Sequence, residues 1–134
     1  MLVLLDADDD CPAALGPALL ERARAARSDV PISVVLANRE FEAWFIAAAE
    51  SLAGTHGFPA DLTAPADPEK IRGAKEWLGQ RKTDNRPYKP TVDQAPLASA
   101  FDLEAARIGS PSFDKFCRDT RALLASSYSP GSTA

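Results

Sequence analysis

Four carboxylates directly follow the first apolar run of the chain, in Met1-Leu-Val-Leu-Leu-Asp6-Ala-Asp8-Asp9-Asp10. If the apolar run forms a strand that persists, Asp6 and Asp8 point to the same side of it. Hard oxygen ligands in that arrangement suit Mg²⁺ or Mn²⁺. The alternative is an acidic turn in which one aspartate caps the following helix and the others are solvated. The pattern therefore predicts a divalent metal site at Asp6 and Asp8, with a structural turn as the competing interpretation.

Three other chemistries could use acidic residues at this spacing. A calcium loop starting at Asp6 is excluded, because Cys11 stands where the loop needs glycine and Pro17 stands where it needs glutamate. An aspartyl phosphatase with Asp6 as nucleophile stays open, although no threonine directly follows the acidic pair. A nucleotide-sugar transferase would rest on the Asp-x-Asp pattern alone. The metal site and the aspartyl nucleophile are the two chemistries that the cluster carries forward.

A second acidic pair lies in Asn38-Arg-Glu40-Phe-Glu42-Ala-Trp44, which the pattern places in the first turn of a helix after a second strand. Acids in a first helical turn are favoured by the helix dipole, and Asn38 is a good cap, so a structural role is one interpretation. Glu42 is surrounded by apolar residues, where an unpaired carboxylate costs several kcal/mol unless a cation or donor meets it. We therefore predict that Glu40 and Glu42 extend the metal site.

A basic segment between residues 67 and 89 interrupts an otherwise acidic protein, with seven basic residues against four acidic ones. A solvated helix face is the usual explanation of such a run, and phosphodiester binding is the functional one. Trp77 has the spacing of a core residue, whereas Tyr88 is the more open aromatic and could stack on a base. The predicted contacts to substrate are Arg39, Lys82, Tyr88 and Lys89, and Lys75 is a predicted catalytic residue.

Hydrophobic periodicity predicts an α/β fold that begins as strand, helix, strand, with the two strands parallel. The predicted strands cover residues 1–5 and 31–37, and the predicted helices cover 11–27, 39–52, 68–78, 92–107 and 113–124. The loop at 55–68 contains His56, which we interpret as a loop residue rather than a catalytic one. The result is a short parallel sheet with a helical C-terminal half.

Composition indicates one ordinary domain: 134 residues, 46% hydrophobic, 25% charged, with a net charge of −4. We expect a single domain over residues 1–125 and a disordered tail over 126–134. Two cysteines and no apolar stretch long enough for export or for a membrane span lead us to expect a cytoplasmic protein that does not enter the membrane. Two strands make a thin sheet, so we expect either dimerisation or a longer domain whose first strands precede Met1.

Five motifs together resemble a Toprim-like bacterial family, the domain-of-unknown-function family numbered 4276. They are Leu4-Leu-Asp-Ala-Asp-Asp-Asp-Cys-Pro12, Leu36-Ala-Asn-Arg-Glu-Phe-Glu-Ala-Trp-Phe45, Gly73-Ala-Lys-Glu-Trp-Leu78, Tyr88-Lys-Pro-Thr-Val-Asp-Gln94 and Ser110-Pro-Ser-Phe-Asp-Lys-Phe116. The resemblance implies a Toprim-like (Rossmannoid) fold and Mg²⁺-dependent cleavage of nucleic acid, as in nucleases associated with phage defence.

By the same resemblance, Asp6 and Asp8 take the Asp-x-Asp role, and Glu40 or Glu42 matches a further acidic motif. Lys75 or Arg39 would stabilise the phosphate in the transition state. The family's earlier strand, with its glutamate, is not among these residues, so we expect a domain truncated at its N-terminus and reduced activity. The competing hypotheses are a non-catalytic module that binds an ATPase or a second copy of itself, and an aspartyl phosphatase.

Overall fold

A computed structural model of the protein describes residues 1–127. Its sheet consists of two parallel strands, β1 (Leu2–Asp6) and β2 (Ser33–Ala37), paired in register from Leu2 opposite Ser33 to Asp6 opposite Ala37. Both strands are continuous apolar runs, which is typical of parallel strands. The short parallel sheet of the predicted α/β fold is therefore confirmed.

Helices make up most of the remaining regular structure. They are α1 (Pro12–Ala26), α2 (Ala43–Ala47), α3 (Ala49–Leu52), α4 (Ala74–Arg81), α5 (Pro90–Ala100), α6 (Leu103–Gly109) and α7 (Pro111–Ser127), with a 3₁₀ turn at Pro68–Lys70. Within residues 1–127, none of these helices combines the length and the hydropathy needed to cross a bilayer.

The two faces of the sheet are covered by different elements. Helix α1 packs Leu15 and Leu19 against Val34 and Leu36 of β2. On the opposite face, α2 and α7 bury an aromatic cluster around Trp44, whose ring centroid lies 4.9 Å from that of Phe113 and 5.2 Å from that of Phe116. Helices α2 and α3 lie in the centre of the molecule, so residues at the end of β2 enter the core directly.

Three of the predicted helices are interrupted. The helix expected over residues 39–52 begins only at Ala43 and breaks at Ala48, so Glu40 and Glu42 do not lie in a first helical turn as predicted. The helix expected over 68–78 is divided into the 3₁₀ turn and α4. Gly73, with a φ of +70°, lies between them. The helix expected over 92–107 is two helices, because Asp102 caps a new one by accepting hydrogen bonds from two backbone N–H groups.

The predicted tail over residues 126–134 starts too early. Ser126 and Ser127 still belong to α7, and residues 128–134 lie outside the part of the chain that the structure describes. The prediction for the loop at 55–68 is confirmed for residues 55–67, which form no helix or strand, whereas Pro68 begins the 3₁₀ turn.

Candidate functional site

The carboxyl ends of the two strands lie side by side and are joined by the first acidic residue. The Phe41 N–H, just beyond β2, donates a hydrogen bond of 2.8 Å to Asp6 Oδ1 at the end of β1. The Ala7 N–H donates to the Ala37 carbonyl at 2.9 Å. Ligands of open α/β sheets collect at this edge. Asp6 is thereby held against the segment that carries the second acidic pair, as the parallel topology predicts.

The turn after β1 does not continue the strand. Asp8 has a φ of +51°, in the left-handed region, so the strand does not persist beyond Asp6 and strand alternation does not determine the side on which Asp8 lies. Arg39, in the corresponding turn after β2, has a φ of +64°. The two turns are linked by a hydrogen bond of 2.8 Å from the Asp8 N–H to the Arg39 carbonyl. Such strain in residues other than glycine is a frequent feature of functional sites.

Glu42 is a carboxylate inside the core, with 1% of its surface exposed. Its Oε1 accepts hydrogen bonds from the Tyr88 hydroxyl at 3.0 Å and from Gln94 Nε2 at 3.4 Å. Its Oε2 is buried and finds no hydrogen-bond donor among residues 1–127. A buried carboxylate oxygen without a donor needs a cation nearby. Glu42 therefore requires a nearby positive charge in the structure, as the sequence predicted.

Lys75, in the first turn of α4, supplies the nearest positive charge. Its Nζ lies 3.5 Å from Glu42 Oε2 and 3.7 Å from Glu40 Oε1, and its backbone N–H donates to Glu40 Oε2 at 3.2 Å. Burial alone would lower the pKa of Lys75, but the charges of Glu42 and Glu40 outweigh that effect and raise the pKa. Lys75 is therefore held as a cation, so it is unsuited to serve as a general base.

Asp6 shares the electrostatic environment of this group. Partial desolvation raises the pKa of Asp6, and the nearby charges of Glu42 and Asp8 add to that rise. The Phe41 hydrogen bond and the Lys75 charge act in the opposite direction without cancelling it. Carboxylates that crowd one another in this way favour a cation between them. The Asp6 carboxyl therefore loses its proton at a higher pH than an ordinary aspartate does.

The residues present fit a divalent cation in kind. Asp6, Asp8, Glu40 and Glu42 offer the hard oxygen donors that Mg²⁺ and Mn²⁺ prefer, and Glu42 Oε2 is a buried donor atom without a hydrogen bond from residues 1–127. Over the same residues, no three His, Cys, Asp or Glu side chains are grouped closely enough to form a ready metal centre. Two of these four carboxylates, Glu40 and Glu42, instead lie against the Lys75 ammonium.

Tyr88 corrects one expectation from the sequence. It is 8% exposed and its hydroxyl bonds Glu42, so it is not the more open aromatic that could stack on a base. Burial, followed by the charge of Glu42, raises the pKa of Tyr88, which keeps the hydroxyl a donor. Trp77 is buried in the core, as predicted. His56 lies exposed in a loop, also as predicted.

The predicted basic contacts separate into two groups. Lys75 lines an open cleft of about 570 Å³ that also touches Tyr88, together with Arg86, which was not among the predicted contacts. Lys82 borders the same cleft, but its side chain is only 5% exposed and its Nζ lies 3.2 Å from Asp93 Oδ1. That ion pair ties the end of α4 to α5. Lys89 is exposed at the start of α5, so its ammonium remains accessible to a ligand.

Three residues of structural or functional weight were missed at the sequence level. Gln94 helps to orient Glu42, and Arg72 reaches the acidic turn after β1. Glu69 is buried and its Oε1 accepts from the Ser110 hydroxyl and the Ser112 N–H, both at 2.7 Å. The available signal was in the motifs, since Tyr88 and Gln94 are the two ends of one motif and Ser110 begins another.

The fold and site define an α/β protein whose acidic residues gather at the carboxyl ends of a two-stranded parallel sheet. The chain belongs to the family described as "Domain of unknown function (DUF4276)", whose model matches residues 1–120. No curated protein matches the chain, and no solved structure matches it. The family resemblance noted in the sequence is confirmed at that level.

Proposed function

We propose that this protein is a Toprim-like nuclease that cleaves phosphodiester bonds of nucleic acid with Mg²⁺ or Mn²⁺. The observation that carries the proposal is the buried Glu42 Oε2, which receives no hydrogen bond from residues 1–127 and lies 3.5 Å from Lys75 Nζ. A buried polar atom without a hydrogen bond calls for an explanation, and a divalent ion held by carboxylates would supply one together with phosphoryl chemistry.

In this proposal each residue of the site has a distinct role. Asp6, Asp8, Glu40 and Glu42 would hold the ion. A bound divalent ion activates water as a nucleophile and neutralises charge that develops on the phosphate. Lys75, kept protonated by its acidic neighbours, stabilises a non-bridging phosphate oxygen. Arg39 orients the phosphate from the turn after β2, and Lys89 contacts the strand further along.

Metal calorimetry tests the proposal at the level of the ligands. Mg²⁺ and Mn²⁺ should bind the wild-type protein, and Asp6→Ala or Asp8→Ala should abolish that binding. Glu21→Gln, at an exposed residue of α1, is the control that removes a carboxylate elsewhere. If neither ion binds, or if the aspartate variants bind as the wild type does, the metal-dependent mechanism is wrong. Release of phosphate from a chromogenic monoester, lost in Asp6→Asn, would instead support the aspartyl phosphatase.

The sheet edge favours a second candidate function, a non-catalytic interaction module. Within residues 1–127, β1 pairs on one side alone, and Leu4 and Leu5 on it are 37% and 46% exposed. Leu4 also borders an apolar cleft of about 370 Å³ with Phe116 and Leu103. Exposed strand edges with apolar side chains invite pairing with a second copy or with a partner such as an ATPase.

Sedimentation distinguishes this module from a monomeric enzyme. If the edge is an interface between copies, the wild-type protein should dimerise at micromolar concentration, and Leu4→Lys should return it to a monomer. Ile108→Lys, at an exposed apolar residue of α6 that does not line the cleft, is the matched control. A monomer at all concentrations contradicts self-association and leaves a different partner as the remaining form of this candidate.

A further inference from the structure

We infer that Arg39 and Arg72 form a binding site for one phosphate group and that Asp9 occupies this site by standing in for the phosphate. The inference rests on the proposed function, because the phosphate would belong to the nucleic-acid strand. Arg39 Nη1 lies 3.8 Å from Asp9 Oδ1, and Arg72 Nη1 lies 3.6 Å from the same oxygen. Two guanidinium groups from separate segments thus converge on a single anionic atom.

The surroundings of this pair have the size of a small anion site. A cleft of about 200 Å³ is lined by Asp8, Asp9, Arg39, Glu40, Arg72 and Gly73. Since a water molecule takes up roughly 30 Å³ of liquid, this space holds a phosphate group with a few waters. Glu40 and Asp8 connect the cleft to the proposed metal site. A phosphate here would lie beside the carboxylates that the proposed chemistry uses.

Asp9 is an exchangeable occupant. Its side chain is 86% exposed, and both of its contacts are longer than a direct hydrogen bond. Ion pairs of that kind contribute little to stability. A phosphate presents several oxygens to the planar donors of two guanidinium groups, whereas Asp9 presents one. A substrate phosphate is therefore the stronger partner.

Arg39 is positioned before any ligand arrives. Its backbone lies in the left-handed region, its carbonyl accepts a hydrogen bond from the Asp8 N–H, and its side chain is 31% exposed. A donor that is already ordered loses less freedom on binding. Arg72 is 77% exposed and supplies the second guanidinium from the segment before α4.

Fluorescence polarisation of a 5′-fluorescein-labelled dT12 oligonucleotide, at about 0.15 M salt with EDTA to prevent cleavage, tests this site. Asp9→Asn should tighten binding about three- to tenfold, because it frees both arginines. Asp10→Asn removes the same charge from the neighbouring residue and should change the affinity less than about twofold, since long-range charge effects are screened. Equal tightening by both variants would show that net charge alone matters and would overturn the inference.

A second pair of variants, Arg72→Gln and its control Arg24→Gln, tests the arginines of the site. Arg72→Gln should weaken binding of the oligonucleotide about fivefold and reduce the salt dependence of log K by about 0.7, as expected for one lost phosphate contact to a single strand. Arg24→Gln, on exposed α1, should do neither. When Asp9→Asn is added to Arg72→Gln, it should raise the affinity for the oligonucleotide by a smaller factor than it does in the wild-type protein. An Arg72 variant that behaves like the Arg24 variant would refute the site.

Metal calorimetry on Asp9→Asn separates this inference from the proposed function. The variant should bind Mn²⁺ as the wild type does, because Asp9 is not among the proposed ligands. Metal binding without any specific response of oligonucleotide affinity would refute the phosphate site alone. A specific oligonucleotide response in a protein that binds no metal would refute the nuclease proposal and uphold the phosphate site.

Discussion

Among single residues, the site is built around one buried carboxylate, which requires polar or charged partners in the core. Glu42 is oriented by Tyr88 and Gln94 through one oxygen and presents the other to Lys75. Its neighbours in the sequence showed that it would be buried and would need a cation. They did not show which residues would orient it, because Tyr88 and Gln94 lie about fifty positions away and reach it only through the tertiary fold.

Tyr88→Phe tests the orienting role of the hydroxyl. Removing a buried donor to a carboxylate should lower the free energy of unfolding by about 1–2 kcal/mol, measured in urea. Because partners of this kind tune metal ligands, we also expect the Mn²⁺ affinity to fall about tenfold. Unchanged Mn²⁺ affinity in a folded Tyr88→Phe protein would show that the hydroxyl supports the core without positioning Glu42 for an ion.

Asp6→Asn tests the electrostatic crowding of the site. Folding raises the pKa of Asp6, so the charged form is less favourable in the folded protein than in the unfolded chain. The penalty is absent below the unfolded pKa of about 4, grows between that pKa and the higher folded pKa, and is constant above the folded pKa. Asp6→Asn should therefore raise the free energy of unfolding at pH 7, by roughly 0.5 kcal/mol because solvent screens the exposed group.

Unfolding of the wild-type protein and of Asp6→Asn at a series of pH values tests this explanation. The gain from Asp6→Asn should disappear near pH 3.5, where the wild-type carboxyl is protonated in both states. Asp10→Asn, in the same exposed turn, should give a smaller change at pH 7. A variant that is less stable than the wild type at pH 7 would mean that the Phe41 hydrogen bond outweighs the crowding.

At the scale of elements, the sequence predicted the strands and α1 closely and the helices of the site poorly. Periodicity located the apolar residues after β2, but the helix starts four residues later than expected because the segment from Arg39 to Glu42 is needed to contact β1 and Lys75. Local propensity cannot report a tertiary demand of this kind. The same holds for Gly73, which turns the chain into α4.

Gly73→Ala tests whether that turn is required. With a φ of +70°, a residue with a Cβ is strained there, and the new Cβ would lie 2.7 Å from Glu76 Oε2. Gly73→Ala should lower the free energy of unfolding by about 1–2 kcal/mol. Gly73→Asn adds the same Cβ but tolerates left-handed backbone better, so it should lose less than the alanine variant. Equal losses in thermal or urea unfolding would assign the effect to the Glu76 contact instead.

At the scale of the whole molecule, the α/β class and the position of the site were predictable because parallel strands bring their carboxyl ends together whatever the details. The different partners of the basic residues were not predictable. Lys75 and Lys82 look equivalent in the sequence, yet the first faces Glu42 and the second is bound by Asp93. Pairing between distant charges depends on how α4 and α5 pack, which composition and spacing do not specify.

A cleavage assay measures whether the Glu42 site supports metal-dependent cleavage of nucleic acid. The protein is incubated with plasmid, single-stranded DNA and RNA, with Mn²⁺ or with EDTA, beside Glu42→Gln and the control Glu21→Gln. We predict cleavage of at least one substrate by the wild type and by Glu21→Gln in Mn²⁺, a loss of at least about a hundredfold in Glu42→Gln, and none in EDTA. Absence of cleavage in Mn²⁺, or equal cleavage by Glu42→Gln, would contradict the account.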